Sequence, residues 1–372
     1  MRTLDWDAAR AAAWGGLVFG AGGGGLEDGL RSAEAVFTLG RPVLATLDEL
    51  ADDDGILVTT SVGAPGQTRQ VVWPRDGLRA VELAREAWAG PGRIVGIMTS
   101  HPGAFTPGSW LPAAVDPGLV VVDCAANGRG HPTVKMGGMG LAGRGDVRVI
   151  QAAAGGLAEE GRYLEVVVRG SMAAGATLLH HASDEAGGSV AACRGPFSAA
   201  FCREAGAVGA ITACIRLGEA MLDARGKGGA AAISAVVDTL GGRELGRGRL
   251  TRHELARVGS WEVGRLDVDT GGAGLEVTVC NEYMAVERGG ERVATFPDLI
   301  VILSPDDGMP LAAARLEPGD DVVVVVVPAS RIPLGAGVRD AAVYAEVERM
   351  IGKELASYAL AASRVGGVDG SR

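Results

Sequence analysis

Near residue 241 the chain changes its hydrophobic rhythm, and that change limits the available folds more than any other feature. Before it, apolar runs at 56–63, 93–99, 119–123 and 147–152 alternate with helix-spaced segments at 78–88, 205–224 and 231–240. Strands alternating with helices predict a mainly parallel sheet with helices on its faces. After it, short alternating stretches at 261–269, 274–279, 283–288, 292–296, 299–303 and 321–327 are separated by turn residues such as Gly271-Gly272, Gly289-Gly290 and Pro318-Gly319. That pattern predicts a small, mainly antiparallel β-barrel or sandwich. Residues 338–362 return to helical spacing. The expected fold class is therefore α/β with two domains: a layered α/β sandwich over 1–240, and a β-barrel-like domain over 241–335. The closing helix, 338–362, is expected to pack back on the first domain.

A second constraint is the run Gly20-Ala21-Gly22-Gly23-Gly24-Gly25, lying between two expected helices, 4–14 and 26–39. Asp5 or Asp7 can cap the first. Glycines without Cβ atoms let backbone N–H groups approach a ligand or another chain closely. A dinucleotide loop follows a strand, and a Walker loop ends in Gly-Lys-Ser/Thr. This run does neither, so no nucleotide cofactor is expected.

Hydrophobic residues make up 47% of the 372 residues but aromatics only 4%. The core must be built from Ala, Val, Leu and Ile. A formal charge of −10 argues against nucleic acid as a partner. The most apolar stretch, 322–327, is too short to cross a bilayer and reads as a buried strand. Five cysteines without a Cys-x-x-Cys spacing suit reduced thiols and a cytoplasmic location.

In a mainly parallel sheet, ligands gather beyond the carboxyl ends of the strands. Three polar segments stand there. The richest runs from Asp123 to Lys135 and includes Asn127, Arg129 and His131. Asp123 or His131 can activate water, and Asn127 and Arg129 can hold a carbonyl oxygen or an anionic nitrogen. Thr59, Thr60 and Ser61, with Gly63 and Gly66, offer hydroxyls and N–H groups. His101 ends the third segment. His180-His181 with Asp184-Glu185 reads as an exposed polar turn rather than a metal site, because adjacent residues diverge. Cys193 and Cys202 read as inert thiols. Asp298 reads as a turn or cap, and Glu282 as a site residue.

Together these pieces resemble the S-methyl thiohydantoin desulfurases. The resemblance rests on the helix followed by Gly20–Gly25, on the Asp123–His131 segment with its Gly128-Arg129 pair, and on Gly206–Gly218. Its most specific part is Cys280-Asn-Glu-Tyr-Met-Ala-Val-Glu-Arg-Gly-Gly-Glu-Arg-Val-Ala-Thr-Phe-Pro-Asp-Leu-Ile-Val-Ile-Leu303. His131 stands where many members carry an aromatic residue, and Ser100-His101-Pro102 where many carry a glutamate-led Gly-Gly turn.

The resemblance implies hydrolysis of a cyclic S-methylated thiohydantoin to a hydantoin and methanethiol. Asp123, His131, Asn127 and Arg129 would be its catalytic residues. Gly22, Gly23, Gly24, Gly25, Thr59, Thr60, His101, Lys135 and Glu282 would bind substrate. The expected partner is a small heterocycle, with no nucleic acid and no membrane, in a homo-oligomer. A divalent metal remains open as cofactor. The competing reading is a non-catalytic accessory subunit that uses the same pocket for binding.

Overall fold

A computed structural model describes residues 1–63, 71–258 and 261–365. Its elements run β1 (Arg2–Thr3), α1 (Trp6–Phe19), α2 (Leu26–Leu39), β2 (Val43–Ala45), β3 (Gly55–Gly63), α3 (Pro74–Ala87), β4 (Ile94–Thr99), α4 (Leu111–Val115) and β5 (Val120–Ala125). They continue with β6 (Val149–Gly155), β7 (Leu164–Gly170), α5 (Met172–Glu185), β8 (Ser189–Ser198), α6 (Ala199–Ala205), β9 (Ala207–Val208), α7 (Ala210–Ala224) and α8 (Gly229–Leu240). The rest is β10 (Arg243–Val258), β11 (Trp261–Asp269), β12 (Leu275–Cys280), β13 (Glu282–Arg288), β14 (Glu291–Thr295), β15 (Leu299–Leu303), β16 (Asp321–Val327), α9 (Ala345–Ile351) and α10 (Ala356–Val365).

The first sheet has the order β1-β2-β5-β4-β3-β8-β6-β7, with β9 beside β5. Among the described residues, only β2, β5, β4 and β3 are parallel to one another. From β3 onward, β8, β6 and β7 pair antiparallel. The expectation of a mainly parallel sheet is thus corrected to a mixed one. The strands that reverse it, β7 and β8, carry weak signals: β7 alternates partly and fully exposed positions, and β8 is interrupted by Arg194-Gly195-Pro196.

The second sheet is wholly antiparallel, ordered β14-β13-β12-β11-β10-β16-β15. It curls until β13 approaches β15, yet among the described residues its end strands β14 and β15 do not pair, so it forms a half-barrel. Its longest strand, β10, went unread because it is charged and largely exposed (Arg243, Glu244, Arg247, Arg249, Arg252, Glu254). The expected single helix over 338–362 is broken into short turns and two helices, with Gly352 in the left-handed region (φ 67°) ending α9. Most of this segment packs on the second sheet, through Val343, Tyr344, Val347 and Leu355 against Cys280, Met284, Ala285 and Phe296. Its ties to the first half include Met136, Ala142 and the ion pair of Lys135 with Glu346.

Asp5 caps α1, its carboxylate accepting the Ala8 N–H at 2.8 Å. The helix then continues past the expected end at 14 to Phe19, buried on nearly every side from Ala9 onward. A helix apolar all round must be enclosed, and the reason here is layering. One side of α1 and α7 (Ala11, Ala12, Ile211, Ile215) joins a core with Leu57, Ile97, Val121 and Cys193 of the first sheet. The other side (Trp14, Val18, Cys214, Leu217, Met221) joins Leu299, Val301, Leu303, Val323 and Val325 of the second. The opposite faces of β15 and β16 fill the half-barrel through Ile300, Ile302, Val322, Val324 and Val326. These valine-rich strands are buried on both faces, which is why they read as continuous apolar runs.

The two helices meet backbone to backbone. A Cβ on Gly218 would run into the Ala11 carbonyl, and one on Gly15 into the Cys214 carbonyl. The Cys214 thiol donates to the Ala12 carbonyl at 3.0 Å. Gly218→Ala is expected to destabilise the protein by about 1–3 kcal/mol through overpacking. Gly77→Ala, in α3 with open space around it, is expected to stabilise by roughly 0.5–1 kcal/mol. Urea denaturation of the two variants checks both signs.

Candidate functional site

The parallel strands β3, β4 and β5 end on one side of the first sheet, and the polar groups predicted there do converge. Thr60 Oγ1 and Ser100 Oγ are 2.9 Å apart, and Ser100 Oγ lies 3.3 Å from His101 Nδ1. The His101 and His131 rings meet edge to face, with centroids 4.8 Å apart and planes at 74°. His131 Nδ1 is 3.2 Å from the Arg129 carbonyl. That carbonyl can only accept, so Nδ1 carries the proton and Nε2 of the neutral ring keeps its lone pair. The loops after β4 and β5 are stitched together by the Ala126 and Asn127 N–H groups, which donate to the Thr99 and Ser100 carbonyls at 3.1 and 2.9 Å.

Other expected site residues have their polar atoms partnered within the fold. Asp123 is committed to α7: its carboxylate accepts the Thr212 N–H at 2.9 Å and the Thr212 hydroxyl at 2.5 Å. Asn127 is fully buried, donating to the Arg129 carbonyl at 2.9 Å and accepting the Gly335 N–H at 3.3 Å. Arg129 is also fully buried, and its guanidinium donates to the carbonyls of Gly130, Tyr283 and Asp298 while its centre lies 4.7 Å over the Phe296 ring. Lys135 pairs with Glu346. Thr59 turns inward, donating to the Met98 carbonyl at 3.3 Å. Gly66 lies outside the described residues.

The glycine run binds the two sheets together. The Ala21 carbonyl accepts the Tyr283 N–H at 2.9 Å, and the Gly22 carbonyl accepts the Ala313 N–H at 3.1 Å. Gly22, Gly24 and Gly25 have φ of 113°, 69° and 93°, which favour glycine. A side chain on Gly22 would press on the Tyr283 ring, and one on Gly25 on Phe105. Gly23 is exposed. The run borders the polar loop where the Gly130 N–H donates to the Phe19 carbonyl at 2.8 Å, and there Glu282 closes in, 3.0 Å from where a Gly130 Cβ would stand.

Among the described residues, no group of three or more His, Cys, Asp and Glu side chains gathers as a metal site would. His180, His181, Asp184 and Glu185 lie on α5, not in a turn; His180 faces inward and His181 faces solvent. Burial pushes the Cys193 and Cys202 thiols up to about 12. Two shallow surface hollows, of about 290 and 390 Å³, lie beside Trp88 and beside Lys353, and hold none of these groups.

Family models for the S-Me-THD-like N-terminal and C-terminal domains match residues 7–155 and 173–333. The chain belongs to the S-Me-THD-like family. The boundary between the two models falls within the first sheet, since β7 lies between them and β8 in the second. A crystal structure of a protein from Chromobacterium violaceum shares the fold, with 20% identity, a TM-score of 0.71, and coverage of 100% of this chain and 99% of that one. No curated protein sequence matches the chain.

In this S-Me-THD-like protein the site's ionisation is set by burial. Burial, with the Arg129 charge adding to it, lowers His101 to about 4. Burial, then His101 and two arginines, holds His131 well below its usual value. Both rings are therefore neutral at pH 7. Glu282 is the reverse case: burial raises it to about 8 against the opposing pull of Arg129, and its Oε2 has no hydrogen-bond partner. Sequence reasoning missed Arg194, which is buried beside these rings. The available signal was a lone arginine directly after the small apolar run Val190–Cys193.

Three measurements follow from these states. Replacing Asp123 by Ala is expected to cost roughly 0.5–2 kcal/mol of stability, as for a lost helix cap, in a denaturant titration. A carboxyl raised from 4.5 to about 8 on folding binds more protons folded than unfolded, so its contribution is full below pH 4.5 and is lost as pH rises to 8. Glu282→Gln should therefore gain stability relative to wild type between pH 5 and pH 8. His101, lowered from 6.5 to about 4, acts in the opposite direction, costing stability as pH falls from 6.5 toward 4. An imidazole NMR titration should show it unprotonated at pH 5.5.

Proposed function

We propose that this protein is a hydrolase of small five-membered nitrogen heterocycles, acting on an S-methyl thiohydantoin to give a hydantoin and methanethiol. The observation that carries the reading is the neutral His101–His131 pair beyond the ends of β4 and β5, in a chain of the S-Me-THD-like family.

His131 is the general base. Its Nδ1–H is anchored on the Arg129 carbonyl, which leaves Nε2 to take a proton from water as the oxygen adds to the ring carbon bearing sulfur. The C=N electron pair moves onto the ring nitrogen. Collapse of the tetrahedral adduct re-forms the C=N bond and breaks the C–S bond, and the hydroxyl proton then shifts from oxygen to the ring nitrogen to give the hydantoin C=O and N–H. The departing methanethiolate takes the proton from the imidazolium and leaves as methanethiol. Thiolate is a good leaving group, so little acid assistance is required. His101, held by Ser100 and Thr60, lies against the base, and its depressed proton affinity keeps the site free of competing charge. Glu282, protonated up to about pH 8, borders the same loop as a neutral hydrogen-bond donor.

His131→Asn is expected to lower kcat for methanethiol release by about 10²–10⁴-fold, the usual range for a lost general base, in a free-thiol assay. Because the base is held unprotonated, kcat/KM should stay flat through pH 6 and fall only at lower pH. A break near pH 6.5 would remove the histidine pair from the mechanism. Tight heterocycle binding without thiol release would support the accessory-subunit reading.

A further inference from the structure

The first sheet ends in two very different strands. At one end β1 is two residues long, which blunts that edge. At the other, β7 presents the seven residues Leu164–Gly170, and among the described residues no strand covers its outer side. Its register with β6 runs without a bulge from Val149 opposite Gly170 to Gly155 opposite Leu164. It holds no proline or lysine, and Val166, Val167 and Val168 stand at its centre. A long, regular, valine-rich edge is a template for pairing with another chain.

The two faces of β7 differ. Leu164, Val166 and Val168 pack under α5 with Leu179. Glu165 reaches Arg79 of α3, and Arg169 donates to the Ala87 carbonyl at the end of α3. Alternation therefore puts the exposed Tyr163 and Val167 on the α3 face as well. Charge divides along that face. At the Glu165 end, Arg79 alone meets three carboxylates, those of Glu82, Glu86 and Glu165. At the other end Arg148 and Arg169 border the apolar hollow beside Trp88. Among the described residues, neither of these arginines has a carboxylate partner.

We propose that β7 is a dimer interface. A second copy of this chain adds its own β7 antiparallel to this edge, about a two-fold axis through Val167, so that the first sheets of the two copies run on as one. The register follows from the charges. With Val167 opposite Val167 of the second copy, Glu165 stands opposite Arg169 of that copy, and Arg169 opposite its Glu165. On the α5 side Val166 meets Val168 of the second copy. An axis through Glu165 or through Arg169 would instead oppose like charges. The incoming Arg169 also offsets the surplus of carboxylates around Arg79, and the exposed Tyr163 ring of each copy is carried to the hollow beside the other's Trp88. The interface is independent of the hydrolase reading.

The test is the mass of the full chain in solution, by sedimentation equilibrium. Wild type is expected at twice the chain mass. Arg169→Glu sets carboxylate against carboxylate at both ends of the interface, and Glu165→Lys sets cation against cation. Each alone should raise the dimer dissociation constant by about 10- to 100-fold. A 1:1 mixture of the two variants should recover dimers, because every charge contact in the mixed dimer joins opposite signs. Val167→Lys, which puts two ammonium groups on the axis from an exposed position, should leave monomers. A monomeric wild type overturns the proposal, as does a wild-type assembly whose mass Val167→Lys and Arg169→Glu leave unchanged. Single variants that dissociate without recovery in the mixture overturn the register and with it the proposal. If Glu165→Lys melts early because Arg79 loses its partner, the other two variants decide.

Discussion

The fully buried guanidinium of Arg129 is the contact on which the rest of this structure depends. It leaves the first sheet on the loop after β5 and is received by carbonyls of Tyr283 and Asp298 in the second half, under the face of Phe296. Burial pulls its proton affinity down to about 10, and the nearby acids Glu282 and Asp298 pull it back up. One side chain thus joins the two sheets, while its own carbonyl holds Nδ1 of His131. The sheet junction and the tautomer of the candidate base share a residue.

Around that staple, small residues set how closely the layers approach. Helices α1 and α7 lie between the sheets and touch through Gly15, Gly218, Ala11 and Cys214. The polar loop is pressed in the same way against a later segment, where side chains on Gly128 and Gly335 would strike the Pro333 and Ala126 carbonyls. Alanine and glycine supply contact area by closeness rather than by bulk. That is how a chain with 4% aromatics builds a close-packed interior.

Much of this was legible in the chain. The strands at 56–63, 299–303 and 321–327 and the helix at 26–39 fall where hydrophobic period places them, because each buries its apolar face locally. The same logic missed β10, whose charged residues are held in the ladder by β11 and β16. It also made the first sheet too parallel, since pairing order depends on partners distant in sequence. Among the polar groups, it singled out His101, His131 and Thr60 from their place after apolar strands, and the structure brings these three together. It could not tell an exposed carboxylate from one already satisfied, so Asp123 looked reactive although Thr212, 89 residues away, occupies both of its oxygens.

By itself, the sequence determined the family, the change from an α/β half to an antiparallel half and the polar segments at the strand ends. These follow from local period and from ordered motifs such as Gly20–Gly25 and Cys280–Leu303. The tertiary structure alone decided which polar groups are spent and which are free. Asp123, Asn127, Arg129 and Lys135 have found partners in other segments, whereas Glu282, His180 and Arg194 keep buried atoms without any. The physical reason is that a polar group's chemistry depends on its desolvation and on its hydrogen-bond partners. Both are set by residues far away in the chain.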